Sequence, residues 1–173
     1  MKRGKIIILV LVLVIITVIG AVGVRKFIDN RVMQIDIKKS KRVIYSETKK
    51  YFNILDYRHL EMRDNEKLNN IEGAKDSANG IIKKINEMEK EIDDASWCRT
   101  RSIDYNADCN LYKVLLKEEF GKTEEYTVIK LKNIENPEDK EILGKMQAAL
   151  EKIGEEHEKF HKKRDEFLAK NYN

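Results

Sequence analysis

The chain has 173 residues, 37% of them charged, with only 8 glycines and 1 proline. This composition favours long solvated helices and argues against an all-β fold, whose turns need more glycine and proline. The first 26 residues hold five of the 34 basic residues and no acidic one, which leaves 29 basic against 30 acidic residues in the rest. That balance excludes a basic nucleic-acid-binding surface, so no nucleic-acid partner is expected.

The N-terminal segment predicts a membrane anchor. A short basic tail, residues 1–5, precedes residues 6–24, which carry no charge and only one polar side chain, that of Thr17. Nineteen residues of helix span about 28 Å, close to the thickness of the hydrocarbon core. We therefore expect residues 6–24 to form a transmembrane signal anchor in contact with the lipid bilayer.

Cleavage of this segment is the alternative. The small residues Ala21 and Gly23 allow a signal peptidase to cut near Gly23, which would yield a secreted protein. The apolar run is longer than the usual signal-peptide core of about 7–15 residues, which favours an uncleaved anchor.

Basic residues flank the segment on both sides, so their distribution alone leaves the orientation open. A short charged tail is hard to translocate, whereas long domains cross largely regardless of charge. We expect a cytoplasmic N-terminus and an extracytoplasmic C-terminal domain.

Residues 25–65 predict a juxtamembrane helix that continues the anchor outward. Its apolar stripe is loose and is interrupted by basic residues between positions 38 and 50, which fit either lipid headgroups or a solvated face. The stripe comprises Phe27, Ile28, Val32, Ile35, Val43, Ile44, Tyr51, Phe52, Leu55 and Met62.

Residues 66–173 predict a helical extracytoplasmic domain. Its first helix, 66–96, has apolar residues at alternating spacings of three and four, the pattern of helix packing or of a coiled coil. The predicted seam is Leu68, Ile71, Ala74, Ala78, Ile82, Ile85, Met88, Ile92 and Ala95.

The two cysteines, Cys98 and Cys109, enclose a polar stretch that we interpret as a loop closed by a disulfide. The disulfide is expected to hold the junction of two helices, with Trp97 and Tyr105 packed nearby. Two unpaired thiols in a cytoplasmic protein are the alternative. A zinc site is not expected, since structural zinc uses closely spaced cysteine pairs and four ligands.

Residues 110–120 predict a short helix that ends at Gly121, because glycine is a common residue just past a helix. The β-prone stretch that follows has no partner strand, so we expect an irregular or weakly helical connector.

The last helix is predicted to begin at an Asn136 N-cap with Pro137 in its first turn and to end near Lys170. The fold class is therefore all-α, an anchor helix followed by an elongated helical bundle or an antiparallel coiled-coil hairpin. The stripe of the last helix is Ile142, Met146, Ala149, Ile153, His157, Phe160, Arg164 and Phe167.

The string HEKFH places His157 and His161 on one face of the last helix. It resembles the zinc-binding motif of the zincin metallopeptidases, in which the two histidines bind the metal and the glutamate is the general base. The third ligand of that family is missing, because only twelve residues follow His161 and none of them is a histidine. The buried surroundings are missing as well, because the string is surrounded by the charged residues Glu155, Glu156, Lys159, Lys162 and Lys163. We expect no catalytic residue and no cofactor, and keep His157 and His161 only as candidates for a surface metal site.

The function expected from these features is protein–protein contact in the cell envelope, as a membrane-anchored adaptor or assembly subunit. Its helical seams would bind a partner protein or a second copy of the chain. One alternative is a sensor or ligand-binding ectodomain that signals through a partner. A second alternative is a zinc-dependent hydrolase that uses the HEKFH string.

Overall fold

The computed structural model describes residues 2–172, with side chains from residue 17 onward. Four α-helices follow one another in this part of the chain, and no strand occurs in it: α1 (Lys2–Lys67), α2 (Ile71–Asp94), α3 (Ile103–Glu135) and α4 (Lys140–Ala169). The predicted all-α fold class is confirmed. Helix α1 contains the whole of the predicted juxtamembrane helix, 25–65, without a break.

The predicted membrane anchor, 6–24, lies largely outside the residues whose side chains are described. Within the described residues, no helix is both long enough and apolar enough to cross a membrane.

The helices form an elongated bundle in which successive helices run antiparallel. Thr48 and Tyr112 share a buried hydrogen bond of 3.0 Å, and Glu66 pairs with Lys130 at 2.7 Å. Both pairs join α1 to α3 at the same sequence offset, so these two helices are parallel and in register along the bundle. α2 packs against both of them, and α4 packs mainly on α3.

The turn between α1 and α2 corrects the predicted start of the second helix. Asn69 has a φ of 56°, a left-handed conformation that asparagine tolerates better than most residues, and it ends α1. Asn70 then caps α2, its side chain accepting a hydrogen bond from the Gly73 N–H at 3.1 Å. Leu68, placed in the predicted seam, is instead exposed at this turn.

Ile71, the next residue of the predicted seam, is also exposed, and from Ala74 onward the seam of α2 is close to the prediction. Ile81, rather than Ile82, is fully buried, and Ser77 joins the buried face. The buried face is Ala74, Ser77, Ala78, Ile81, Ile85, Met88 and Ile92.

Helix α3 corrects the predicted stop at Gly121, and of the two alternatives for the stretch after it the irregular one is wrong and the helical one is found. The helix passes through Gly121 and continues to Glu135. Thr127 and Ile134 keep a buried face along the second half. A helical glycine costs only about 1 kcal/mol, and β-branched residues cost less, so the packing of these turns outweighs the local preference.

The disulfide between Cys98 and Cys109 is confirmed, with Cα atoms 5.4 Å apart. The predicted loop is much shorter than expected, because Ser96–Cys98 form a 3₁₀ turn and α3 already begins at Ile103. The N-cap of α3 is Ser102, whose hydroxyl accepts from the Tyr105 N–H at 3.2 Å. The bond therefore joins the 3₁₀ turn to the second turn of α3, at the predicted helix junction.

The start of α4 also differs from the prediction. Asn136 ends α3, donating its N–H to the Lys132 carbonyl at 3.0 Å, and Pro137 lies in the turn. Asp139 is the actual N-cap, and its carboxylate accepts from the N–H groups of Glu141 and Ile142 at 2.9 and 3.2 Å. The helix ends at Ala169, one residue from the predicted end.

The C-terminal tail closes the bundle at the disulfide end. Tyr172 is buried, stands edge-on to the Tyr105 ring and donates its hydroxyl to Asp108 at 2.8 Å. The Lys41 ammonium caps the last turn of α4 by donating to the Leu168 carbonyl at 2.9 Å. We call this region the closed end of the bundle; it comprises the disulfide, Lys41 and the tail 170–172.

Candidate functional site

The HEKFH string lies where α4 meets both α1 and α3. Phe160, within the string, is buried, and its ring packs 5.6 Å from the rings of both Phe52 and Tyr112. The His157 and His161 rings lie 5.6 and 6.0 Å from the Phe52 ring. One face of the string thus contacts the core, while Glu158 and Lys159 point outward.

The two histidines and one glutamate form a hydrogen-bonded chain. His157 Nδ1 lies 2.7 Å from Glu119 Oε1, and His157 Nε2 lies 2.8 Å from His161 Nε2. An ionised carboxylate can only accept, so His157 carries its proton on Nδ1 and accepts at Nε2 from the His161 Nε2–H. The chain fixes both the tautomer and the orientation of His157.

Glu119 is the buried member of this chain, with a side chain only 3% exposed. Burial raises the pKa of Glu119, because removing a carboxylate from water disfavours its charged form, while the hydrogen bond from His157 opposes this rise. Its second oxygen, Oε2, is buried without a hydrogen-bond partner.

Two histidines have lowered pKa values, which favours their neutral form: His161, in the hydrogen-bonded chain, and His59 of α1. Burial lowers the pKa of His161, and the positive charge of Arg164 lowers it further. Burial also lowers the pKa of His59, partly offset by Asp56.

Metal ligands are too few for the catalytic zinc of the zincins. Over the described part of the chain, no three His, Cys, Asp or Glu side chains stand together so as to hold a metal ion. The structure brings His157 and His161 together, as their spacing predicts, and among the described residues no third protein ligand lies beside them.

An open groove lies between α1 and α4. It begins at His157 and extends in the direction away from the closed end of the bundle. We call it the α1–α4 groove; its volume is about 700 Å³. Among its apolar lining residues, Leu60 and Leu150 are each 47% exposed. The lining comprises Phe52, Leu55, Asp56, His59, Leu60, Met62, Arg63 and Glu66 of α1, Glu119, Thr123, Tyr126 and Lys130 of α3, and Leu150, Ile153, Gly154 and His157 of α4.

Sequence reasoning did not identify Glu119 or the groove. A signal for Glu119 exists, because Tyr105, Cys109, Tyr112 and Leu116 are buried at spacings of four, three and four. Continuing that period by three residues reaches Glu119, and a carboxylate on a buried helix face requires a partner.

Because the pKa values of His59 and His161 are lowered, we expect the folded chain to lose stability in mild acid. His59 and His161 have folded-state pKa values below the ordinary 6.5, so the unfolded chain takes up more protons as the pH falls through that value. Their contribution to stability is therefore complete above pH 6.5 and is lost below it. Urea midpoints at pH 7.5 and 5.5 should show a larger loss for the parent chain than for the H59Q/H161Q double variant. Equal losses in the two proteins would contradict this assignment.

Comparison with known proteins adds no relative. No protein-family model matches the chain, and neither a curated protein nor a solved structure matches it.

Proposed function

We propose that the chain is a single-pass membrane-anchored adaptor whose bundle binds an amphipathic helix of a partner protein in the α1–α4 groove. The open groove is the observation that carries this proposal, since apolar grooves between helices are a recurrent way to bind a partner helix. The adaptor acts by binding, and no catalytic step is part of the proposal.

The dimensions of the groove suit a helix of about four turns. Its α1 wall extends from Phe52 to Glu66, which corresponds to roughly 21 Å of helix. Gly154 has no side chain at its place on the α4 wall, and apart from its chain neighbours and the surrounding helix backbone no described atom lies within 4 Å of where a Cβ would be. The exposed Leu60 and Leu150 supply apolar contacts from the two walls.

The charges in the groove specify the chemistry of the partner helix. Glu66 is paired with Lys130, and Glu119 with His157. Asp56 and Arg63 also line the groove and form no ion pair within the described part of the chain. They lie seven residues, or two helical turns, apart on α1. A partner helix that presents a basic residue to Asp56 and an acidic residue to Arg63, about two turns apart, complements both charges.

The anchor in this proposal is the apolar segment 6–24. It is supported by the length of the uncharged run and by the short basic tail before it. The unbroken α1 supports a rigid link between that segment and the bundle. The extracytoplasmic location is part of the same proposal and is supported by the disulfide.

Site-specific photocrosslinking in native membranes tests this function. A photoreactive residue at Leu60, in the full-length chain, should capture one protein through a segment with the charge pattern given above. The same probe at Val114, an exposed apolar position of α3 outside the groove, should not capture it. A synthetic peptide of the captured segment should bind the purified chain, and L60D should weaken that binding at least tenfold, about 1.4 kcal/mol.

The V114D variant is the matched control and should bind the peptide as the parent does. Three results would overturn the proposal: capture only of lipid or of a second copy of the chain, equal capture from Leu60 and Val114, or peptide binding that L60D leaves unchanged.

A further inference from the structure

The Nε2 atoms of His157 and His161 face each other across one hydrogen bond. They lie 2.8 Å apart, on residues one helical turn apart. Two imidazole nitrogens at about 2.0–2.1 Å from a tetrahedral zinc ion are roughly 3.3 Å apart. The two Nε2 atoms therefore need to move apart by about half an ångström, and both rings need to turn so that their lone pairs point at the ion.

Glu119 supplies the feature that distinguishes this pair from two exposed histidines on a helix. Metal-binding histidines commonly donate their other ring N–H to a carboxylate, which fixes the ring and raises the basicity of the ligating nitrogen. His157 makes that contact, because its Nδ1 bonds the Glu119 carboxylate at 2.7 Å while its Nε2 faces His161. The carboxylate is itself held on α3 and nearly fully buried, so it cannot simply turn away.

We propose that the Nε2 atoms of His157 and His161 bind one divalent zinc-class cation, with Glu119 orienting His157 and water filling the remaining positions. His161 shifts its ring proton from Nε2 to Nδ1, and the ion takes the place between the two Nε2 atoms. Imidazole ligands suit zinc, copper and nickel, whereas magnesium and calcium prefer oxygen ligands. Histidine binds metal in its neutral form, and burial lowers the pKa of His161, which favours that form.

The surroundings leave space for the water ligands. A cavity of about 310 Å³ adjoins both histidines, and the polar side chains of Asn53 and Asp56 line it beside them. Lys49 and Arg164 line it as well, and Arg164 is paired with Asp165 at 2.8 Å. Asp56 and Asn53 offer oxygen acceptors for metal-bound water. The positive charges of Lys49 and Arg164 oppose a dication, and the carboxylates of Asp56 and Glu119 offset part of that repulsion.

Such a site would connect α4 to both α3 and α1. The ion would link two turns of α4, and Glu119 would tie the same site to α3, while Phe52 of α1 packs on both rings. Metal occupancy would therefore stabilise α4 on the bundle, because a ligand that binds only the folded state raises its stability. This inference does not depend on the partner helix proposed for the groove.

Zinc titration of the full-length chain in detergent, purified through a tag free of histidine, tests the site. Isothermal calorimetry with Zn²⁺ at pH 7.5 should give one equivalent per chain. E119Q, which keeps both ligands, should bind zinc about 10–100-fold more weakly. E118Q changes the exposed neighbouring carboxylate and should bind as the parent does.

H161Q should abolish the calorimetric signal. Its side chain lies at the edge of the bundle, so this variant tests the site even where E119Q disturbs folding, and circular dichroism of each variant records its helicity. Absence of stoichiometric zinc in the parent chain overturns the proposal. So does binding that H161Q leaves intact, or equal affinity in a folded E119Q and the parent.

Discussion

Replacing Phe160 by alanine is expected to lower the free energy of unfolding by about 3–5 kcal/mol. The side chain is only 3% exposed, and it packs between Tyr112 of α3 and Phe52 of α1. Its removal leaves a cavity at the point where three helices meet, and rigid aromatic neighbours cannot close it. Urea denaturation of the full-length chain, followed by circular dichroism, measures the change.

The neighbouring K159A variant is the control for Phe160. Lys159 is exposed and makes only an ion pair with Glu156 on the same helix. Surface changes of this kind usually stay within about 0.5 kcal/mol. A loss below about 1 kcal/mol for F160A would show that α4 does not pack on α1 and α3 as described.

Opening the disulfide between Cys98 and Cys109 is expected to lower the free energy of unfolding by about 2–3 kcal/mol, by the chain-entropy model for a loop of this length. Urea midpoints with and without a reductant measure this effect. The C98A/C109A variant should be insensitive to the reductant, which separates the cross-link from any other action of the reagent. A parent chain whose midpoint does not move on reduction would contradict the prediction.

The same two cysteines test the proposed orientation in cells. Membrane-impermeant maleimide should label them in intact cells only after a reductant has been added. Labelling that needs lysis but no reductant would place reduced cysteines in the cytoplasm and reject the extracytoplasmic location.

Periodicity predicted the helices well where their buried face is apolar and regular. The seam of α2 and the stripe of α4 are examples, since Ile85, Ile92 and Phe160 are buried as predicted. The errors concern single residues with strong local preferences. Gly121 contributes about 1 kcal/mol against the helix, and the buried contacts of Thr127 and Ile134 beyond it outweigh that preference.

The start of α4 was ambiguous for a different reason. Asn136 and Asp139 are both good N-cap residues, and they lie one turn apart. The preceding helix was predicted to end at Gly121. Asn136 could therefore not be recognised as the end of that helix. Once α3 reaches Glu135, Asn136 becomes its C-cap, and Asp139 is the acceptor left for the free N–H groups of α4.

Only the two histidines of the candidate site could be predicted from the sequence. The spacing of His157 and His161 predicts that they share a helix face, which is a local property. The contact with Glu119 spans 38 residues and depends on the register of α3 against α4. That register is set by many packing contacts together, so the glutamate that orients His157 could not be named from the motif.

The unbroken course of α1 has a mechanical consequence. No glycine or proline interrupts the helix between residues 25 and 67, so it acts as a rod, and the distance along it is fixed. His59, in the middle of the groove, lies 34 residues beyond Arg25, or roughly 50 Å along the rod. The closed end of the bundle is nearer to the proposed anchor, because Lys41 and Gln34 contact the C-terminal tail there. With α1 extending away from the lipid, the groove would lie beyond the reach of a helix confined to the bilayer. It would select partners whose binding segment extends that far from the membrane.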